Sequence, residues 1–442
     1  MIANHTMTNI LALATLSGES LPRAGRDLAS LSLFDWLVVT RAGAGEPLSV
    51  IIQKFVAHEG GRPEASVAGL PIRVPARAAS LANGTISHAL DYDDTHFAHI
   101  GHLSVGILPA ALAVGETVHA AAEAVRDAFM VGAEAACRIG MVLGREHYER
   151  GFHQTATAGA FGATVAAGRL LQLTPEQMRH ALSLVSTRAS GLKSQFGSMG
   201  KPFNAGIAAS NGVEAALLAQ RGMVSCDDGL GGIQGFIDTH TEMALEADAW
   251  ANPPPSSFLF EDNKYKLHAC CHGTHAMLNS IAEARRHHHL TPDRVERVRL
   301  RTNPRWLRVC DIKTPRNGLE AKFSYRLLAG MALAGIDTAA DGSYSDSLCT
   351  NPILLGVARR VIVEGDASVS ETAAELVLTL NSGEQIHVHH DLAAQVPEAE
   401  LQRGLRAKAE ALLGPAIADT LWISASGLAD LSAHDVAGLL QA

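Results

Sequence analysis

The sequence predicts a mainly α-helical protein with a large helical domain and a smaller α+β domain. Apolar residues make up 47% of its 442 residues, aromatic residues only 5%, and Ala and Gly are abundant. This composition favours closely packed helices over a β-rich body. Period-2 patterns begin at Val295, beyond a Pro-rich break at residues 251–258. Because the chain is longer than one core usually carries, we expect two domains.

The first half of the chain reads as successive helices. Pro47 marks a helix start and Gly60 its end. Pro75 starts the helix that leads to Asp91, and Thr174 with Gln177 forms a capping box. Amphipathic or Ala-rich patterns predict the other helices at about residues 8–18, 26–41, 104–122, 123–145 and from 156 onward.

The second part of the chain mixes strand and helix patterns. Residues 266–280 open a helix, and residues 320–335 form another. Strands are predicted at VERVRLR (295–301), VIVEG, AELVLTL and QIHVHHD, the last two forming a hairpin around Asn381. From Pro397 the pattern is helical again, so we expect residues 1–255 and 395–442 to form the helical domain and 256–394 the α+β domain.

Charge and composition exclude several classes of partner. A net charge of −9 without a long basic run argues against nucleic acid and against an anionic membrane surface. No apolar run is long enough to span a bilayer. No Lys or Arg precedes Arg23, so a secretory signal is not expected. The six cysteines lack paired CxxC spacing, which predicts reduced thiols and a cytoplasmic protein.

One stretch concentrates polar chemistry. Residues 87–104, SHALDYDDTHFAHIGHLS, follow one Ala-rich helical pattern and precede another, so they read as a helix end running into a loop. The alternative is that the acids and Thr95 cap a helix while the histidines are solvated or lie in the core. The density of the cluster favours a functional site. It contains Thr95, the acids Asp91, Asp93 and Asp94, and the histidines His88, His96, His99 and His102.

A glycine-rich segment at residues 191–222 is the second candidate. Lys201 and Pro202 stand at the head of a long helix of small residues. A Lys beside a helix N-terminus is unfavourable with the dipole, so we expect a carboxylate or phosphate between them. The alternative is a solvated loop lysine. A phosphate loop is excluded because Pro202 stands where Ser or Thr is needed.

Two metal-dependent classes are weaker alternatives. The three acids of the cluster could belong to a magnesium site of an isoprenoid synthase, but a second Asp-rich motif does not occur. A zinc hydrolase could use His96, His99 and His102 with Asp91. However, HExxH is absent, and the i, i+3, i+6 spacing does not place three imidazoles around one ion on a regular helix.

Several motifs together resemble the MmgE/PrpD family. They are HALDYDDTH, GFHQTATAGAFGA with SMGKPFNAG, and KLHACCHGTH followed by EAKFS, spread over about residues 8–365. That family includes 2-methylcitrate dehydratase, cis-aconitate decarboxylase and iminodisuccinate epimerase. The resemblance implies a helical domain made from both chain ends, an α+β lid, homodimers, and no metal or organic cofactor.

The resemblance also implies a set of site residues. It assigns catalytic roles to Asp91, His102, His153 and Lys201, and substrate binding to Thr95, Lys266, Cys271 and His275. The chain departs from the family pattern at His268, Ala269, Arg326 and Leu327. Cys271 also stands where the decarboxylase has a functional histidine, which argues against decarboxylation.

These residue types suit proton removal next to a carboxylate. Such chemistry needs a base, cations that hold the developing enediolate, and an acid for the leaving group. A histidine would be the acid/base, Asp91 would set its tautomer or share the proton, and lysines would bind carboxylates. We therefore expect a cofactor-independent lyase of the 2-methylcitrate dehydratase type, acting on a small di- or tricarboxylic acid. A decarboxylase, an epimerase and a non-catalytic carboxylate-binding homologue are the alternatives.

Overall fold

The computed structural model describes residues 5–441. The chain divides into two compact units, which we call the helical unit (Met1–Tyr265 with Pro415–Ala442) and the α+β unit (Lys266–Gly414). Residues 1–4 and 442, which the sequence assigns to the helical domain, lie outside the described residues. The predicted fold class, mainly α with a smaller α+β part, is confirmed. The lid role of the second part stays a prediction.

The helical unit begins with a series of helices and one short hairpin. Its elements are α1 (Thr6–Ala14), α2 (Arg23–Gly43), α3 (Pro47–Glu59), β1 (Ala65–Val67), β2 (Leu70–Val74), α4 (Ala76–Ser87), α5 (Ser104–Thr117), α6 (Ala122–Glu149), α7 (Thr157–Leu170), α8 (Pro175–Val185), α9 (Gly200–Gln220), α10 (Phe236–His240) and α11 (Glu246–Ala249). The capping box of Thr174 and Gln177 is present at the start of α8. Gly144 interrupts α6 with a non-helical backbone, so the helix is kinked there.

The α+β unit is built on a four-stranded sheet with the order β4-β3-β5-β6. Strand β3 pairs in parallel with β4 and antiparallel with β5, and β5 and β6 form the predicted hairpin. Helix α12 packs on β5, β6 and α15. The elements are α12 (His275–His288), β3 (Val295–Thr302), α13 (Pro304–Cys310), α14 (Gly318–Ala321), α15 (Tyr325–Ala334), α16 (Pro352–Ala358), β4 (Val361–Gly365), β5 (Ala373–Leu380), β6 (Gln385–Asp391) and α17 (Glu398–Leu413).

The chain then returns to the helical unit with α18 (Pro415–Ser426) and α19 (Ala433–Gly438). In this unit α7 packs against α6 and α9, and α4 packs against α5 and α9. Small residues allow these approaches. A Cβ on Gly84 of α4 would lie 2.8 Å from the Cα of Gly206 in α9. This close crossing brings the C-terminal end of α4 near the N-terminal end of α9.

The described residues contain no helix with both the length and the apolar character needed to cross a membrane.

Candidate active site

The end of α4 places the first acid of the cluster. Helix α4 stops at Ser87, and Asp91 has a left-handed backbone with φ +51°. Asp and Asn tolerate this conformation better than most residues, but it still carries strain, which clusters at functional sites. Farther along the loop, Thr95 is fixed by two backbone hydrogen bonds with Lys264, of 2.7 and 2.8 Å.

Asp93 is the centre of a buried polar group. Its Oδ1 lies 2.7 Å from Nδ1 of His88, and its Oδ2 lies 2.7 Å from Nδ1 of His102. Burial opposes ionisation of this carboxyl, but the charges and hydrogen bonds of His102 and His88 outweigh that effect. They hold the pKa of Asp93 well below its usual range. The carboxylate therefore stays charged.

The contacts of His102 fix its tautomer. Nδ1 lies 2.7 Å from both Asp93 Oδ2 and the backbone carbonyl of Asp94. Both partners accept hydrogen bonds, so Nδ1 carries the proton. In the neutral ring Nε2 then has a lone pair, and it lies 3.7 Å from Oδ1 of Asp91. His102 can therefore accept a proton at Nε2.

Asp94 stabilises the same loop. Its carboxyl accepts hydrogen bonds from Ser104 Oγ at 2.5 Å and from Asn263 Nδ2 at 2.7 Å. The pKa of Asp94 is raised, mainly by burial and also by the charge of Asp93. The hydrogen bonds from Ser104 and Asn263 offset only part of this rise. This residue anchors the loop to the start of α5.

His153 has the opposite tautomer. Nδ2 of Asn204 lies 3.1 Å from its Nδ1 and also donates to the carbonyl of Leu192 at 3.3 Å, which fixes the orientation of the amide. Because Nδ1 of His153 accepts, Nε2 carries the proton in the neutral ring. Burial, followed by the charges of Lys201 and of two neighbouring histidines, holds the pKa of His153 well below its usual value. His153 is therefore a neutral side chain that can donate a hydrogen bond at Nε2.

Lys201 lies in the first turn of α9, and its Nζ is 2.5 Å from Oδ2 of Asp91. The side chain of Lys201 is 15% exposed and that of Asp91 39%. The Phe196 ring lies 5.3 Å from the ammonium group and packs edge-on against His153. The anion expected beside this helix end is thus supplied, in the protein itself, by Asp91.

His96 and His99 belong to the core. Nε2 of His96 donates to the Leu259 carbonyl at 2.8 Å, and Nδ1 of His99 lies 3.1 Å from the Ala136 carbonyl. Burial lowers the pKa of His99 to about 3. The zinc alternative required these rings to surround one ion with His102, but their nitrogens bind backbone carbonyls instead.

The structure places Lys266, Cys271 and His275 in the α+β unit. Lys266 and His275 are buried, and Cys271 is half-buried. His275 begins α12, and burial together with the charges of His272, His268 and Lys266 holds its pKa well below the usual value. These three predicted residues belong to the α+β unit, and Asp91, His102, His153 and Lys201 belong to the helical unit.

A metal ion would fit poorly among His88, Asp91, Asp93 and His102, which we call the acidic cluster. Ligand atoms of His88, Asp91, Asp93 and His102 lie within 4.8 Å of one another. However, both histidines already direct Nδ1 at Asp93, and the ammonium of Lys201 lies 2.5 Å from Asp91. A divalent ion would have to displace that cation and break these contacts.

Two family models match the chain. The MmgE/PrpD N-terminal domain matches residues 12–245, and the MmgE/PrpD C-terminal domain matches residues 268–422. The chain belongs to the MmgE/PrpD family. Both the acidic cluster and Lys201 lie within the N-terminal match, while Lys266 falls between the two matches.

Curated relatives of this MmgE/PrpD protein are cis-aconitate decarboxylases. The chain is 28% identical over 303 residues to the enzyme of Aspergillus terreus, which covers 65% of this chain and 61% of the relative. It is 25% identical over 289 residues to the Mus musculus enzyme, covering 61% and 57%. The human enzyme is 30% identical over 158 residues, covering 34% and 32%. The matched region thus spans roughly three fifths or less of these relatives.

Sequence reasoning missed three functional partners in this MmgE/PrpD protein. It expected Asp91 to set the tautomer of a histidine, but Asp93 lies at Nδ1 of His102 and Asp91 lies at the opposite nitrogen. It gave no role to His88 or to Asn204. The one sequence signal for the contact between His88 and Asp93 was their spacing of five residues across a helix end. The contact of Asn204 with His153 joins distant segments and left no local signal.

Proposed function

We propose that this protein is a lyase that acts on a small di- or tricarboxylic acid by moving a proton at the carbon next to a carboxylate. Membership of the MmgE/PrpD family and the decarboxylase relatives support the reaction class. The substrate and the order of steps are part of the proposal. Homodimer formation and a cytoplasmic location stay predictions.

The pair of histidine tautomers carries this proposal. His102 offers a lone pair at Nε2, and neutral His153 offers a hydrogen-bond donor at Nε2. Elimination of water needs a base for the α-proton and an acid for the departing hydroxyl group. Lys201 supplies the positive charge that stabilises an enediolate. We assign His102 as the base, His153 as a hydrogen-bond donor to the departing hydroxyl group and Lys201 as the charge-stabilising residue. The proton that His102 takes from the α-carbon leaves with the hydroxyl group as water, which returns His102 to its neutral form.

Substrate carboxylates would be bound by the remaining predicted residues. Thr95 in the loop and Lys266, Cys271 and His275 in the α+β unit are the candidates. The buried ammonium group of Lys266 suits a charge-assisted hydrogen bond to a carboxylate. These binding assignments are part of the proposal.

Within the lyases we favour a hydro-lyase of the 2-methylcitrate dehydratase type, because a base and a hydrogen-bond donor for the departing hydroxyl group are both present. The second candidate is decarboxylation, favoured by the names of the curated relatives. Loss of CO₂ needs stabilisation of the resulting carbanion and a proton donor. The ammonium group of Lys201 would supply both without a base, and His153 would donate a hydrogen bond. Epimerisation would use the same base and return the proton to the other face.

The reactions differ in their products, which defines the test. Purified protein is incubated with 2-methylcitrate, citrate, malate and cis-aconitate, and the products are identified by proton NMR together with a CO₂ assay. An alkene product without CO₂ supports the hydro-lyase, and CO₂ release supports the decarboxylase. Tight binding of a tricarboxylate with no product from any acid would instead indicate a non-catalytic homologue.

A further inference from the structure

Asp93 is a buried carboxylate shared by two imidazole rings. His88 contacts one of its oxygens and His102 the other, each through Nδ1 at 2.7 Å. The side chains of His88 and Asp93 are fully buried and that of His102 is 10% exposed. The rings of His88 and His102 meet edge to face with centroids 4.5 Å apart. The three side chains therefore form one largely buried cluster in which each contacts the other two.

We propose that His88 is a positioning residue that acts through Asp93 to keep a charged carboxylate beside the base His102. The consequence for turnover rests on the proposed function, in which His102 takes the α-proton. His88 itself need not touch substrate.

The physical reason is the cost of a charge away from water. A buried carboxylate remains ionised only when donors satisfy its oxygens. His88 supplies the donor to Oδ1, and His102 faces Oδ2. Without His88 the Asp93 carboxyl would take up a proton or turn in its pocket. His102 would then keep only the uncharged Asp94 carbonyl as partner, and its imidazolium would lose the neighbouring negative charge.

The second ring nitrogen of His88, Nε2, makes no hydrogen bond among the described residues that would compete with the contact to Asp93. Nε2 is buried and has no hydrogen-bond partner among residues 5–441. Since the remaining nitrogen contacts Asp93 alone, the polar contribution of this ring is to that carboxylate.

His99 provides a matched control in the same loop. It is fully buried, its Nε2 also lacks a partner among the described residues, and its Nδ1 lies near a backbone carbonyl rather than a carboxylate. His88→Leu and His99→Leu remove a similar ring from a similar environment. Only the first removes a donor to Asp93.

The first measurement is steady-state kinetics on the acid that the wild-type protein converts. We expect His88→Leu to lower kcat by about 10- to 100-fold with little change in KM, the range typical of partners that orient a reacting histidine. His88→Asn places an amide N–H near the position of Nδ1 and should restore most of the activity. His99→Leu should keep kcat per folded molecule. Equal kcat values in both Leu variants would overturn the proposal.

The second measurement needs no substrate and so separates this inference from the proposed function. In proton NMR of ¹⁵N-histidine-labelled protein, the Nδ1–H of His102, assigned with His102→Gln, should resonate far downfield because the charged Asp93 carboxylate lies 2.7 Å from Nδ1. The resonance should move upfield in His88→Leu and stay in place in His88→Asn and His99→Leu. An unchanged resonance in His88→Leu contradicts the inference even if the wild type is active. If His88→Leu does not fold, Asp93→Asn must give the same upfield shift.

Discussion

Asp91 and Lys201 each occupy a position that is unfavourable on its own. Asp91 has a left-handed backbone, and Lys201 puts a positive charge in the first turn of α9, where the helix dipole is also positive. The two side chains meet at 2.5 Å, so each partly offsets the cost of the other. This pair is partly exposed beside His102, and in the proposed function it opens toward a substrate carboxylate.

Lys201→Ala should lower the rate by about 10² to 10³, by analogy with the loss of one oxyanion-hole donor. The contact strengthens as negative charge develops in the transition state, so kcat should fall more than binding. Lys201→Arg should not restore the rate, because a planar guanidinium cannot replace a compact ammonium beside Pro202.

Lys193→Ala is the control for that variant. Lys193 lies in the same segment, but its Nζ donates to the Tyr148 carbonyl at 2.8 Å and lies over the ring of that tyrosine. Its loss should affect stability and leave the rate per folded molecule unchanged. Similar rates for both alanine variants and the wild type would mean that another cation holds the substrate, with Arg326 the first to test.

At the scale of single residues, the sequence predicted which residues belong to the site better than it predicted which of them contact each other. The density of acids and histidines in residues 87–104 pointed to the cluster, and the helix start in the glycine-rich segment pointed to Lys201. The resemblance added His153 and the catalytic role of Lys201. Which acid faces which histidine depends on the turn of the backbone at Asp91 and on side-chain directions beyond it. Local patterns do not determine these, so Asp93 and His88 were assigned only from the structure.

The crossing of α4 and α9 is the feature of helix packing that assembles the site. Gly84 on α4 meets the backbone of α9, where an added Cβ would lie 2.8 Å from Gly206 Cα and 3.1 Å from the Ala205 carbonyl oxygen. Backbone atoms cannot yield as a flexible side chain would. Asp91 follows α4 and Lys201 lies in the first turn of α9, so the distance between the helices sets the distance between these residues.

Gly84→Ala should therefore destabilise the protein by about 1 to 3 kcal/mol, the usual cost of overpacking. It should also reduce activity, because the helices must separate. Gly438→Ala is the matched control, since a Cβ there meets no atom within 4 Å and Gly438 is a helical residue of the same unit. That variant should be neutral or slightly stabilising. Urea unfolding and turnover measure both effects, and equal stability of the two variants would show that the crossing tolerates a Cβ.

Helix starts were predictable where the sequence has a Pro in the first turn or a capping box. Pro47 and the Thr174 capping box gave correct starts for α3 and α8, and alternation gave the strands of the larger sheet. The hairpin of β1 and β2 was missed. Its strands are only three and five residues long, too short for a period-2 pattern, and the tight turn between them depends on Gly69 with φ +72°. The short helices α10, α11, α13, α14 and α16 were also not predicted individually, because one or two turns carry no clear period.

Across the whole molecule, several histidines are buried in the neutral form. Burial lowers the pKa of His99 to about 3 and that of His147 to about 4, and it holds His153 and His275 well below the usual value. An unfolded histidine titrates near 6.5. Between these values the unfolded chain binds more protons than the native protein, so stability is lost as the pH falls below about 6.5.

We expect the free energy of unfolding to decrease steeply between about pH 6.5 and pH 5, by roughly 1.4 kcal/mol per pH unit for each such histidine. His99→Gln should flatten this slope by about that amount, whatever its effect on absolute stability. Urea titrations at several pH values give the slopes. An identical slope for the variant and the wild type would show that His99 does not stay neutral in the native state.

Catalysis by the whole protein should persist after exhaustive treatment with EDTA, because the proposed roles are filled by His102, His153 and Lys201. The measurement is turnover before and after chelation, with metal content determined in parallel. Activity that disappears with EDTA and returns only with one metal would replace these assignments with a metal-centred site.

The assignment of His102 as a base next to a substrate carboxylate is tested most directly by isotope exchange. Wild-type protein and His102→Gln are incubated in D₂O with citrate-like, malate-like and aconitate-like acids, and proton NMR follows each carbon-bound hydrogen. We predict exchange or turnover at a carbon adjacent to a carboxylate in the wild type and its loss in the variant, with both proteins folded. Exchange that continues undiminished in His102→Gln, or a wild type that neither exchanges nor converts any of these acids, would contradict the account.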